Sequence, residues 1–229
     1  MKNTRLIAVL VSSAFALSAV ALAAGDGKPG PGRIAGAALR GKEKDKDAKV
    51  LKIGDKVPDF TATDVNGKSV KFSDFAGKTV VLQWVNPGCP VCRKVTESGQ
   101  VAQMITDAKA IDPGVVFLMV NSTASTASDP KATAEYLSSH KVQATAALID
   151  GDGKVGHMFD AKTTPNLFVV DSKGTLVYGG AFDDSSDRGE TAGKTNYVLN
   201  TLKQLKAGQS VSPSTTKPYG CSVKYGKKD

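Results

Sequence analysis

Two cysteines at C-x-x-C spacing, Cys89 and Cys92, lie in the segment Trp84-Val85-Asn86-Pro87-Gly88-Cys89-Pro90-Val91-Cys92-Arg93-Lys94, directly after the apolar run Thr79-Val80-Val81-Leu82-Gln83-Trp84. Two thiols one helical turn apart can close a disulfide and open it again, so the pattern points to thiol-disulfide chemistry. A helix beginning at about Cys89 places Pro90 in its first turn, where the missing N–H is not needed and the fixed φ suits the helix. Cys89 then sits at the positive end of the helix dipole. Unsatisfied amides there favour thiolate over thiol, and the thiolate is the attacking species. Structural zinc would need two further ligands, and His140 and His157 have no paired spacing with each other or with a second C-x-x-C; neither a metal nor another cofactor is expected.

A third cysteine, Cys221, lies in Tyr219-Gly220-Cys221-Ser222-Val223-Lys224. Two readings stay open for it. It is a third redox thiol that exchanges with Cys89 or Cys92 when the end of the chain folds back, or it is a spare, half-buried cysteine. The first requires the Cα atoms to approach within about 7 Å.

The compartment bears on all three. Residues 1–23 read as a secretory signal peptide: Lys2 and Arg5, an apolar stretch from Leu6 to Leu22, then the small residues of an A-x-A-like site. The apolar stretch is slightly short of a bilayer span, so an uncleaved anchor is the weaker reading and the only membrane contact expected. An exported chain, with the periplasm as its destination, meets an oxidising environment in which disulfides persist and an odd cysteine count stands out. Residues 24–49, rich in Gly, Pro, Lys and Asp, have too little apolar surface to offset their ordering entropy and read as a flexible leader. The formal charge of +8 falls to +6 without Lys2 and Arg5, and much of the remainder lies in mixed-sign terminal segments. With no aromatic-basic interleaving beside that charge, no nucleic-acid partner is expected.

Elements that position the cysteines can be read from periodicity and turn signals. Asp59 to Asp64 and Ser69 to Phe72 flank Asn66-Gly67 as a β-hairpin, and a buried strand comes next over Thr79–Val85. Helical spacing runs from Pro90 to Ala110, weakened at Ser98-Gly99. A strand spans Val115 to Val120, and Asp129-Pro130 opens a helix that reaches about His140. Further strands cover Ala146 to Ile149, Leu167 to Val170 and Leu176 to Tyr178. The first of these leads through the tight turn Asp150-Gly151-Asp152-Gly153 into a short helical piece near Val155 to Phe159. A last helix is expected over Ala192 to Lys206, with a polar tail after it. Asp183-Asp184 reads as part of a polar turn rather than a metal pair, and Trp84 either gates the cysteine or fills the core at the end of its strand. With 41% hydrophobic residues the chain supports one substantial core.

Several spaced segments, in order, resemble the redoxin group of the thioredoxin superfamily, related to the alkyl hydroperoxide reductase and thiol-specific antioxidant proteins. They are Ile53-Gly54-Asp55-Lys56-Val57-Pro58-Asp59-Phe60, Phe72-Ser73-Asp74-Phe75-Ala76-Gly77-Lys78, the C-x-x-C segment, Thr164-Pro165, Val169-Val170-Asp171-Ser172-Lys173-Gly174 and Gly179-Gly180-Ala181-Phe182-Asp183-Asp184. The resemblance implies an α/β class, thioredoxin-like fold: a central mixed β-sheet flanked by helices, here with an N-terminal β-hairpin extension. Residues 50–209 would form that domain and 210–229 a C-terminal tail carrying Cys221. It also implies a cis bond before Pro165, opposite the nucleophilic cysteine, with Thr164 and Pro165 lining a groove for an extended substrate segment.

On that resemblance the chain is expected to be an exported thiol-disulfide oxidoreductase with Cys89 as nucleophile, Cys92 as resolving thiol, and protein disulfides or dithiols as partners. Substrate-side residues would be Thr164, Pro165, Trp84 and Asn86. Two positions depart from family patterns. Gln83 stands where thioredoxins carry a buried carboxylate six residues before the first cysteine, and Asn86 stands where typical peroxiredoxins have Thr or Ser. A second expectation keeps the nucleophile but makes a hydroperoxide the substrate, with Cys92 or Cys221 resolving the sulfenic acid. A third is a copper(I)-binding protein like those built on related exported thioredoxin folds, although those space their cysteines by three residues.

Overall fold

A computed structural model describes residues 49–185 and 191–226. The segment expected as a signal peptide, and all but the last residue of the expected leader, lie outside the described residues. Chain order begins with the hairpin β1 (Thr61–Asp64) and β2 (Ser69–Lys71), then a 3-10 turn over Phe72–Phe75 and the central strand β3 (Val80–Trp84). Helices α1 (Pro90–Glu97) and α2 (Gln100–Ile111) lead to β4 (Val116–Asn121), the short α3 (Ala124–Ala127), α4 (Pro130–Ser139) and β5 (Ala146–Ile149). Then come α5 (Lys154–Phe159), β6 (Thr163–Thr164), β7 (Asn166–Val170), β8 (Leu176–Gly180), α6 (Tyr197–Lys206) and β9 (Cys221–Ser222).

Seven strands form one mixed sheet in the order β2-β1-β5-β4-β3-β7-β8. β3, β4 and β5 run parallel, joined by helical crossovers, whereas β7 returns antiparallel to β3 and turns into β8. β3, β4 and β7 are buried on both faces, which is why their sequences read as near-continuous apolar runs instead of alternating ones. Alternation along β3 sorts its side chains between two cores. Val81 and Val85 join Cys89, Cys92, Val95, Met104, Phe117 and Leu202 under α1, α2, α4 and α6. Val80, Leu82 and Trp84 join Leu118, Phe159 and Phe168 on the opposite face, where α5, Phe60, Phe72 and Phe75 complete the cover.

Three expectations change on the structure. The helical stretch from Pro90 to Ala110 is two helices, because Gly99 takes a left-handed φ of 82° between them. The final helix starts at Tyr197 instead of Ala192: Asn196, in extended conformation, caps it by accepting from the Leu199 amide at 3.0 Å. The residues after Gly208 are not a loose polar tail, since β9 pairs antiparallel with β6, with Thr163 opposite Ser222 and Thr164 opposite Cys221. Elsewhere the capping residues act where the sequence places them. Asp129 accepts from the Ala132 amide at 3.0 Å at the start of α4, and the Gly153 amide closes the Asp150-Gly153 turn on the Asp150 carbonyl at 3.0 Å. Asp183 and Asp184 accept backbone amides from Ser185, Gly193 and Thr195, which is a turn.

Gly99 isolates a backbone effect, because a Cβ placed there meets nothing within 4 Å. Gly99→Ala should therefore cost about 1–2 kcal/mol from the left-handed conformation alone. Urea unfolding of the two proteins, with unchanged m-values, checks this.

Candidate active site

Trp84, the last residue of β3, is paired with Asn166, the first of β7. That antiparallel register brings the loop leaving β3 against the segment entering β7. The loop after β3 is folded by Asn86, whose Oδ1 accepts the Gly88 amide at 2.8 Å and the Thr126 hydroxyl at 3.3 Å. Cys89 comes next in extended conformation as the N-cap of α1, with Pro90 at the first helical position. Its sulfur accepts the Cys92 amide at 3.4 Å, and as a thiol it donates to the Thr164 carbonyl at 3.1 Å. The Thr164-Pro165 bond is cis.

The two thiols of the pair are in different electrostatic situations. Burial, the largest influence on Cys89, pushes its thiol up. Hydrogen bonds from the Cys221 thiol, Thr164, and the Cys92 and Cys221 amides outweigh that and hold Cys89 below the ordinary thiol value. The Thr164 hydroxyl is itself buried, next to the carbonyl that takes the Cys89 thiol. Cys92 is fully buried, and that burial, helped by the nearby Cys89, pushes its thiol up to about 11 despite the Asn86 amide, Tyr136 and Thr96. Of the two thiols, Cys89 is the one that loses its proton at the lower pH, and Cys92 stays protonated well above neutrality.

The structure brings Cys89, Cys92, Thr164, Pro165 and Cys221 together. It does not bring Trp84 to them: the indole is fully buried on the opposite sheet face, packs on Phe159 and Phe168, and donates to Ser122 Oγ at 2.9 Å. Trp84 fills the core. Asn86 is 8% exposed and its carboxamide oxygen is engaged by the loop, so its work is to shape the approach to α1. Gln83 lies on the same sheet face as the cysteines, wholly buried, with neither amide atom hydrogen-bonded. Arg93 is the arginine of the described residues, and its guanidinium is held by Glu97 at 2.6 Å on the outer face of α1.

Tyr136 is not legible as a site residue in the sequence. Its hydroxyl donates to the Cys92 carbonyl at 3.3 Å and lies 3.9 Å from the Cys92 sulfur. It comes from α4, 44 residues away in sequence, and shows only as one more aromatic at helical spacing. The histidines are engaged elsewhere: His140 Nδ1 pairs with the Tyr136 carbonyl and His157 stacks on Tyr225. Among the described residues no group of three or more His, Cys, Asp or Glu is placed to hold a metal ion.

A central mixed sheet, a C-x-x-C helix starting beside it and a cis proline facing the first cysteine define a thioredoxin-like redox protein. Residues 52–198 match Redoxin, and the chain belongs to that family. Among proteins of known name it is similar to the thiol-disulfide oxidoreductase ResA of Bacillus subtilis (strain 168), 28% identical over 144 residues that span 63% of this chain and 72% of that protein. Two solved structures share the fold. One is an uncharacterized conserved protein from Geobacillus kaustophilus, with a TM-score of 0.68 and 23% identity, covering 78% of this chain and 94% of that one. The other, a protein of Sinorhizobium meliloti 1021, has a TM-score of 0.66 and 20% identity, covering 79% and 98%.

Iodoacetamide alkylation of the reduced protein, followed across pH by peptide mapping, should give Cys89 a midpoint lower than that of an unperturbed cysteine thiol. Cys92 should stay unmodified until near pH 11. The raised Cys92 thiol favours the folded state while protonated, fully below the ordinary thiol value, and that contribution is lost as pH climbs toward about 11. Urea unfolding of the reduced protein should therefore show stability falling over that alkaline window.

Proposed function

We propose that the chain is an exported thiol-disulfide oxidoreductase in which Cys89 attacks and Cys92 resolves. The observation that carries this is the asymmetry of the pair: one sulfur is held below the ordinary thiol value by amide and hydroxyl donors, and the other is buried one turn behind it with its amide on the first. The similarity to a named thiol-disulfide oxidoreductase supports the same reading.

In the reductive direction, the Cys89 thiolate attacks one sulfur of a partner's disulfide and releases the other as a thiolate. Cys92 then attacks the Cys89 sulfur, the Cys89–Cys92 bridge forms, and the partner leaves reduced. The reverse sequence oxidises a dithiol. Cys92 must lose its proton for this step. Gln83 cannot accept it, since an amide does not titrate, whereas the Tyr136 hydroxyl stands beside the sulfur as a donor that stabilises the thiolate once formed. Thr164 and Pro165 form the edge beside Cys89 at which a partner's extended segment would dock in place of β9, which is paired there in this structure.

The partners on this reading are protein disulfides and dithiols outside the cytoplasm. Residues 1–23 direct export to the periplasm, 24–49 form a leader, 50–209 the redox domain and 210–229 a segment that carries Cys221. A hydroperoxide is the second substrate reading: among the described residues no arginine is turned to Cys89, Arg93 being held by Glu97.

Insulin reduction with dithiothreitol as electron source tests the assignment. Cys89→Ser should fall to the uncatalysed rate, and the double variant Cys92→Ser with Cys221→Ser, which keeps only the attacking sulfur, should accumulate a covalent complex with a disulfide substrate on non-reducing gels. Unchanged turnover by Cys89→Ser would remove the assignment.

A further inference from the structure

The two-residue strand Thr163–Thr164 does not present a bare edge next to Cys89. β9 is laid along it antiparallel, with Cys221 opposite Thr164, the residue whose carbonyl takes the Cys89 thiol at 3.1 Å. The thiol and the amide of Cys221 are among the donors that lower the Cys89 thiol. Cys89 itself is 1% exposed, while Cys221 is only partly buried. The nucleophile therefore has one cysteine behind it on α1 and another in front of it on β9.

Anchors on both sides of Cys221 set this placement. Upstream, the Tyr219 hydroxyl donates to Asp183 Oδ1 at 2.5 Å. Downstream, the Val223 amide donates to the Lys162 carbonyl at 3.0 Å, the Lys224 carbonyl accepts the Ala124 amide at 2.9 Å, and Val223 is buried. Tyr225 stacks on His157 with ring centroids 4.1 Å apart and donates to the Ala161 carbonyl at 2.8 Å. Between these anchors Gly220 has a φ of 139°, and a Cβ on it would lie 2.2 Å from the Thr164 carbonyl oxygen. Only glycine lets the strand approach this closely. The strand occupies the position that an extended substrate segment would take, and its cysteine occupies the position of the substrate's reacting sulfur.

We propose that Cys221 is a third redox thiol that forms a reversible disulfide with Cys89, so that the C-terminal strand is a built-in exchange partner of the enzyme. This rests on the reading of Cys89 as the exchange nucleophile. Starting from the Cys89–Cys92 bridge, the Cys221 thiolate attacks the Cys89 sulfur. The Cys89–Cys221 bond forms, the Cys89–Cys92 bond breaks, and Cys92 leaves with the electron pair and takes up a proton equivalent to the one Cys221 gave to solvent. One disulfide replaces another, with no oxidant beyond the one that first oxidised Cys89. Because the strand is tethered and already seated, the exchange is intramolecular and needs no diffusional docking.

Full-length Cys92→Ser and Cys92→Ala proteins, treated with oxidised glutathione, alkylated under denaturing conditions and mapped by mass spectrometry, test the proposal. The expected product is a monomer with a Cys89–Cys221 cross-linked peptide and no alkylated cysteine. A product that stops at a glutathione adduct on Cys89, with Cys221 alkylated, overturns it. The wild-type chain, mapped across a glutathione redox series, needs no substitution and should show the Cys89–Cys221 peptide at intermediate poise. Gly220→Ala should abolish that peptide while keeping the Cys89–Cys92 one. A reversible Cys89–Cys92 bridge with no Cys221 cross-link in any of these proteins overturns the tail exchange but leaves the oxidoreductase standing. Absence of any bridge to Cys89 overturns both.

Discussion

The antiparallel register between β3 and β7 is the constraint on which the site depends. With Trp84 opposite Asn166, the chain leaving β3 and the chain entering β7 emerge at the same end of the sheet, and Cys89 and Thr164 meet although 75 residues separate them. The register is held by the two apolar cores: β3 is buried on both faces, and a slip of one residue would exchange Val81 and Val85 with Val80, Leu82 and Trp84, sending each set to the wrong side. Such a slip would also move Gln83 into the other core. The site geometry is thus as well fixed as the hydrophobic sorting of a central strand.

What the sequence discloses depends on how local the determinants are. The C-x-x-C pair, Pro90 at the first helical position and Asp129-Pro130 at the start of α4 are set by interactions within four residues, and they stand where spacing puts them. The break at Gly99 is visible in the sequence as a weak point but not as a boundary, because a lone glycine inside a helical pattern is compatible with continuation; its left-handed φ is what ends α1. Non-local determinants are the ones that escape a sequence reading. Trp84 sits five residues from Cys89, yet strand alternation turns it to the far core, so nearness in sequence misassigns it. Tyr136 reaches Cys92 only because α4 packs over α1, and no motif announces that. β9 pairs with a two-residue strand too short to carry a pattern of its own, and its seating depends on Gly220 and on contacts made by Tyr219, Val223 and Tyr225.

Burial acts in opposite senses on the two sulfurs because donors are distributed unequally. In isolation both thiols would be driven toward the neutral form, as a low-dielectric interior penalises the thiolate. Cys89 is relieved by position: at the N-cap it collects an amide from Cys92, and from the β6 and β9 side it collects Thr164 and Cys221. Cys92 lies within α1, where its own amide is already committed to Cys89, and the donors it has do not match its burial. The same hydrogen bond therefore lowers one thiol and ties down the backbone of the other. A helix that began one residue later would lose both effects.

Replacing the buried carboxylate of thioredoxins by Gln83 changes what the interior can do during turnover. A carboxylate there could take the Cys92 proton and hold it in the core, whereas the amide offers only fixed donors and acceptors, here without partners. The proton must leave by another route, and deprotonation of Cys92 then weighs on the lifetime of any disulfide between Cys89 and another sulfur. On the proposed roles, a slow buried resolving thiol would give a neighbouring, partly exposed one time to compete. In this chain the competing position at the open side of Cys89 is filled by the protein's own strand. On the proposed mechanism, Gln83 in β3 and the cysteine-bearing strand β9 would act on the same Cys89 disulfide from opposite sides.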